Sequence, residues 1–270
     1  MKRVLVLVLL SIVFTAVYAD LIITRNESGQ ISKEIYANGC FAEVINDRVM
    51  SVWDFRNMTL SLYNYDLKIY TNIAYDKFKE EMDRQTKAEI DNELKNLPPE
   101  RRKVYIEATR KLYSRLIPRL EVVDTTNICG YPSIQFRVLN DTLLAQRIWI
   151  SKKLRKDIGK EIPFGSMKKV ESIFKGNRKM KVDAMNIPID GVTMLAERIE
   201  NEGYVMKRYD HGIRTKSNPA IYSKIEAIDN CISSVSKMKV DMKIFNAPSG
   251  FKKLSYSEYQ MQLIKYMENQ

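Results

Sequence analysis

Residues 58–75 read MTLSLYNYDLKIYTNIAY. Two short runs flank a corner at Asn64 to Asp66. Met58, Leu60 and Leu62 alternate with Thr59 and Ser61, while Leu67, Ile69 and Ile73 share a face opposite Lys68 and Asn72. A period of two marks β-strands, because successive side chains point to opposite faces. One face is apolar and the other polar, which fits an antiparallel hairpin covered on one side only. Such sidedness specifies the register, since a one-residue slip would invert the two faces.

The same signal continues toward the N-terminus. FAEVIND and RVMSVWDF form a pair around Asn46-Asp47, with Val49, Trp53 and Phe55 on one face and Asp54 and Arg56 on the other. LIITRN and ISKEIYANG form an earlier pair, turning at Glu27-Ser28-Gly29. The expected result is an antiparallel meander.

Toward the C-terminus the period changes. Asp76 to Leu97 is charged and free of Gly and Pro, and Phe78, Met82, Ile90, Leu94 and Leu97 mark one helical stripe. Pro98-Pro99-Glu100 breaks that helix and starts another, since Pro suits a first helical turn. Val104, Ala108, Leu112 and Leu116 recur there at spacings of four, before Pro118. This helical hairpin, at about 76–117, is expected to lie over the apolar face of the sheet.

Strands resume with LEVVDTTN, SIQFRVLND and TLLAQRIWISK, the last two meeting at an Asn140-Asp141 corner. FGSMKKVESIF and DGVTMLAERIENEG read as helices inside a helical insertion at about 152–202, with Asp190 as a cap and Gly203 as a stop. YVMKRYD and AIYSKIEAIDN read as strands. FNAPSGFKKL is a short apolar segment before a terminal helix from about Tyr256. No repeat or low-complexity linker divides the chain, so residues 20–270 read as a single domain.

Residues 1–19 read as a signal peptide. Lys2 and Arg3 precede an uncharged, mostly apolar run from Val4 to Val17, and Val17 and Ala19 give the small-x-small pattern before a cut near Ala19. The run is short for a span, which needs roughly 20 apolar residues. An uncleaved anchor is the alternative. No later window reads as a membrane span. The expected address is periplasmic or secreted.

The net charge is +11, with 44 Lys and Arg against 33 Asp and Glu. Acids are mixed into nearly every basic stretch, as in DKFKEEMDRQTKAEIDNELK, and there is no basic block, so nucleic acid is not expected as a partner. The chain has three Cys (Cys40, Cys129 and Cys231) and one His, His211. Outside the cytosol at most one internal disulfide can form, leaving one thiol. A single His leaves no Ser-His-Asp triad and no His-rich metal site. No catalytic residue, metal site or cofactor is expected. Cys129, in VVDTTNICGYPSIQFRV, reads as a packed thiol or half of a disulfide beside a turn.

The order of these pieces resembles an uncharacterised family of secreted bacterial proteins, a domain of unknown function, and through it the fold of the LolA/LolB lipoprotein carriers. Gly130-Tyr131, Phe136, Trp149-Ile150-Ser151, Phe245, Pro248, Gly250, Phe251 and Lys252 carry the resemblance. It implies an α+β fold: an open, curved antiparallel β-sheet, a half barrel, with helices covering the concave face. In the Lol carriers an apolar concavity receives acyl chains. By analogy, Trp53, Phe55, Leu60, Leu62, Ile69, Met82, Leu112 and Leu116 are expected to line an acyl-sized pocket. The alternative is that they pack on one another as core.

Three functional readings follow. The first is a non-enzymatic binding or carrier protein for a lipid, lipoprotein acyl chain or other apolar ligand. The second is a cell-envelope interaction module with a filled core and a protein partner. The third, an enzyme, has only carboxylates such as Glu80-Glu81 on a solvated helix face to support it.

Overall fold

A computed structural model describes residues 20–27, 29–186, 189–211 and 228–269. The signal-like segment at 1–19 lies outside the described residues, as does most of AIYSKIEAIDN. The first six strands are β1 (Leu21–Glu27), β2 (Gln30–Ala37), β3 (Cys40–Ile45), β4 (Arg48–Asp54), β5 (Thr59–Asn64) and β6 (Ile69–Ala74). Helices α1 (Tyr75–Asn96) and α2 (Pro99–Tyr113) follow, then strands β7 (Pro118–Ile128), β8 (Tyr131–Asn140) and β9 (Leu143–Ser151). Three helices come next: α3 (Lys152–Glu161), α4 (Phe164–Met185) and α5 (Gly191–Glu200). The chain closes with β10 (Tyr204–Asp210), β11 (Ile228–Lys237), a 3₁₀ turn at Met242–Phe245, β12 (Lys252–Leu254) and α6 (Tyr256–Glu268).

The strands form one open sheet in the order β12-β6-β5-β4-β3-β2-β1-β11-β10-β9-β8-β7. Neighbours are antiparallel except β12, which runs parallel to β6. The fold is therefore α+β. Turn chemistry accounts for the hairpins. Asn46 and Asp47 both adopt left-handed backbone between β3 and β4, and Asp141 does so between β8 and β9. Asn and Asp tolerate that region better than other side chains bearing a Cβ.

The main core lies on one face of the sheet. Leu21, Ile23, Tyr36, Phe55, Leu60, Ile73, Met206 and Ile232 pack there against Phe78 of α1, Leu154 and Ile158 of α3, and Val170 and Ile173 of α4. α1 packs directly on α4. α3 starts where the Ser151 hydroxyl accepts from the Leu154 amide at 3.3 Å. The Asp190 carboxylate caps α5, accepting from the Thr193 amide at 2.8 Å.

Two sequence expectations need correction. The sheet is covered on both faces. Ile35, Ala42, Val44, Val52 and Tyr63 form a second cluster on the opposite face, under Val240, Ile244, Phe245 and Phe251. Phe136, Val138, Ile148 and Ile150 form a third under Val192, Ala196 and Ile199 of α5. Val49 also belongs with the second cluster and not with Trp53 and Phe55. Val44 pairs with Val49 and Glu43 with Ser51, so Met50 is an extra residue that shifts the alternation. A bulge of this kind inverts which side chains face which way.

The helical hairpin exists, but its two arms behave differently. α1 buries Phe78 and Ile90. α2 buries no residue, and Val104 and Leu112 are exposed. Among the described residues, no helix is long and apolar enough to cross a membrane.

Candidate functional site

Helix α4 presents Glu171, Phe174, Lys175, Arg178 and Val182 at three- and four-residue spacings, which places them on one face. That face and the C-terminal end of α5 enclose a cleft of about 750 Å³. Phe174, Val182 and Ile189 supply its apolar wall. Phe174 is 46% exposed, yet its ring stacks edge-on against Trp53 at 6.0 Å and Phe78 at 6.2 Å. The apolar wall of the cleft is thus continuous with the main core.

The charges around the cleft are matched. Arg178 pairs with Glu197. Lys175 donates to Asn201 Oδ1 at 2.9 Å. Arg155 donates to the carbonyl oxygens of Asn201 at 2.7 Å and Glu200 at 3.3 Å. A guanidinium there satisfies the free carbonyls and complements the negative end of α5. Burial pushes the Glu200 carboxyl up, against the pull of Arg208, which donates to it at 2.6 Å.

A second cavity, of about 300 Å³, adjoins the first through Arg155, Glu171 and Glu200. Ile158 and Met167 line it, and Arg25, Tyr36 and Tyr204 also reach it. Arg25 donates through Nε to Glu34 Oε1 at 2.7 Å, through Nη1 to Asn230 Oδ1 at 2.8 Å, and through Nη2 to the Val205 carbonyl at 3.0 Å. Its guanidinium also lies over the Tyr204 ring, 4.9 Å from the centroid. Glu34 Oε2 accepts from the Tyr36 hydroxyl at 2.6 Å and from the Tyr204 hydroxyl. Burial, followed by the nearby Glu34 charge, pushes both phenols well above their ordinary value. Both therefore stay neutral donors at physiological pH.

The eight residues expected to line a pocket are divided among several environments. Phe55 and Leu60 are buried in the main core, with Trp53, Leu62 and Met82 packed against it. Ile69 is buried on β6 and Leu116 after α2. Leu112 is 39% exposed. None of the eight lines either cavity, although Trp53 reaches the cleft through Phe174. Phe174, Arg155, Arg25, Glu34 and Tyr204 were not singled out in the sequence. One signal was readable: Arg25 shares the alternation of Leu21 and Ile23, so a charge falls on an apolar face. Phe174 lies within FGSMKKVESIF, whose helical period gives no sign that a cleft opens beside it.

No family model matches the chain, and no curated protein matches it. The crystal structure of an uncharacterized conserved protein from Thermus thermophilus aligns at 6% identity with a TM-score of 0.36, over 93% of this chain and 98% of that one. These comparisons do not identify a LolA/LolB relationship.

Proposed function

We propose that this chain is a non-enzymatic, extracytoplasmic binding or carrier protein for a lipid, lipoprotein acyl chain or other apolar ligand. In this reading residues 1–19 are removed near Ala19, and residues 20–270 act as one LolA/LolB-like unit in the periplasm or outside the cell. The ligand's apolar portion lies in the cleft between α4 and α5, and the polar groups around the rim hold its head. Phe174 is the observation that carries this reading. A large aromatic side chain stays half exposed on the wall of a concave site, while its ring is already anchored to Trp53 and Phe78. Burying the exposed half of such a ring under a ligand gains roughly 0.7–1.5 kcal/mol, about half the value for a fully exposed side chain. The cleft volume also falls in the ordinary range for small-ligand sites.

A half-barrel curl of the sheet has support of its own. α3 touches β2, β8 and β10. Five strand spacings separate β2 from β8, about 24 Å on a flat sheet. A ten-residue helix is only about 15 Å long. The turn between β7 and β8 likewise reaches β11, where Cys129 Sγ lies 3.6 Å from the Ile232 carbonyl oxygen. A strongly curved sheet brings these elements together.

Native mass spectrometry of exported protein, with organic extraction of anything bound, tests the proposal. A stoichiometric acyl-containing adduct is the expected result. A clean apo mass, with no uptake of added fatty acid or phospholipid, would overturn it.

A second reading, a protein-interaction module, is favoured by β7. It is one of the two edge strands of the sheet, eleven residues long, and exposed along most of its length. Val122 is 67% exposed. An exposed edge of this length can template pairing with another strand.

A further inference from the structure

Two of the three thiols converge on one backbone oxygen. Cys129 Sγ lies 3.6 Å from the Ile232 carbonyl oxygen, and Cys231 Sγ lies 3.4 Å from the same atom. The two sulfurs therefore stand no farther apart than the sum of those distances, although the residues are remote in sequence. The third thiol is elsewhere: Cys40 is buried at the start of β3, with its sulfur 3.7 Å from Arg56 Nη2.

Local backbone features support this convergence. Cys129 and Gly130 both adopt left-handed backbone, at φ 52° and 83°, in the turn between β7 and β8. A residue with a Cβ is uncommon there, and Asn, Asp or Gly would be the usual choice. On β11, Thr24 pairs with Ser234 and Arg25 with Ile232, which leaves Ser233 as an extra, bulged residue beside the shared carbonyl. Bulges re-aim the groups next to them. The turn has room to move, since a Cβ built on Gly130 meets nothing within 4 Å.

We infer that Cys129 and Cys231 form a structural disulfide in an oxidising compartment, leaving Cys40 as the free thiol. The oxidant is a small-molecule or protein disulfide. The Cys129 thiolate attacks one sulfur of that disulfide and expels a thiolate. The Cys231 thiolate then attacks the Cys129 sulfur of the mixed disulfide and expels the second thiolate. Two protein thiols become one disulfide, the oxidant becomes two thiols, and the protons released by the cysteines go to those leaving groups. Burial pushes the Cys129 thiol up, so the uncatalysed reaction should speed up with rising pH. The bond would tie the β7–β8 turn to β11 and close a loop of about a hundred residues, the kind of long closure that restrains an unfolded chain most.

The test is incubation of the purified, reduced full chain with oxidised glutathione, followed by thiol titration and non-reducing peptide mapping. The expected product is a monomer two hydrogens lighter, with one titratable thiol and a cross-link between the Cys129 and Cys231 peptides. Cys40→Ser should undergo the same loss of two hydrogens, whereas Cys129→Ser and Cys231→Ser should not. The cross-linked protein should unfold several degrees above its reduced form. Three thiols persisting, a link that includes Cys40, or only intermolecular dimers would each overturn the assignment.

Discussion

The Arg25 guanidinium sits on the apolar face of β1, where its Nε donates to Glu34 Oε1 of β2 at 2.7 Å. Their side chains are only 13% and 17% exposed. Two charges withdrawn from water in this way depend on each other. Removing one leaves the other buried and unpaired, which typically costs about 3–5 kcal/mol.

Arg25→Met and Glu34→Gln should each lower the stability of the chain by about 3 kcal/mol in urea titrations. The double variant Arg25→Met/Glu34→Gln should lose much less than the two single effects added together, because no buried charge is stranded. Strict additivity would show that the pair is not coupled.

Asp157 gives a pH signature. Burial alone would raise its carboxyl. Lys160 donates to it at 2.7 Å, Lys237 at 2.8 Å and Tyr131 at 3.1 Å, and together they hold it down at about 2. A folded value below the unfolded one, near 3.9, means stabilisation that is complete above about pH 4 and is lost as pH falls through 2. Its size, discounted for the solvent-exposed lysines, is about 1–2 kcal/mol. Between pH 5 and pH 2.5 the urea midpoint of the wild type should therefore fall more steeply than that of Asp157→Asn. Parallel slopes would contradict the arrangement.

Leu60 and Leu112 were read alike in sequence, as lining residues, but their surroundings differ. Leu60→Ala removes a buried side chain from the main core and should cost about 2–5 kcal/mol. Leu112→Ala on the uncovered face of α2 should stay within about 0.5 kcal/mol of wild type. Thermal unfolding of the two variants side by side decides the point.

This contrast shows what periodicity can reveal. Spacings of four at Val104, Ala108 and Leu112 reveal that a helix has a stripe, but not whether anything lies over it. Hairpins were legible because Asn46-Asp47 and Asn140-Asp141 carry their own turn chemistry. The displaced face of Val49 was not, because a bulge at Met50 depends on how two strands pair. β11, at Ile228–Lys237, lies largely beyond the stretch read as a strand, since its serines weaken the apolar alternation. The three residues of β12 pair in parallel with a strand far away in sequence, and no local signal marks that. Around the cleft and the cavity that adjoins it, only Arg25, which lines the latter, left a readable trace, a charge in phase with Leu21 and Ile23. Phe174, Arg155 and Tyr204 come together through the packing of α3, α4, α5 and β10.

The most direct test of the carrier reading is a fluorescent fatty-acid titration of wild type beside Phe174→Glu and Leu112→Glu, with folding checked by circular dichroism. Phe174 lines the cleft and Leu112 lies outside it. The expected result is saturable binding near one ligand per chain in wild type and Leu112→Glu, weakened at least tenfold in folded Phe174→Glu, which corresponds to about 1.4 kcal/mol or more. Equal binding by all three proteins, or no binding by any, would contradict the proposal that this cleft holds an apolar ligand.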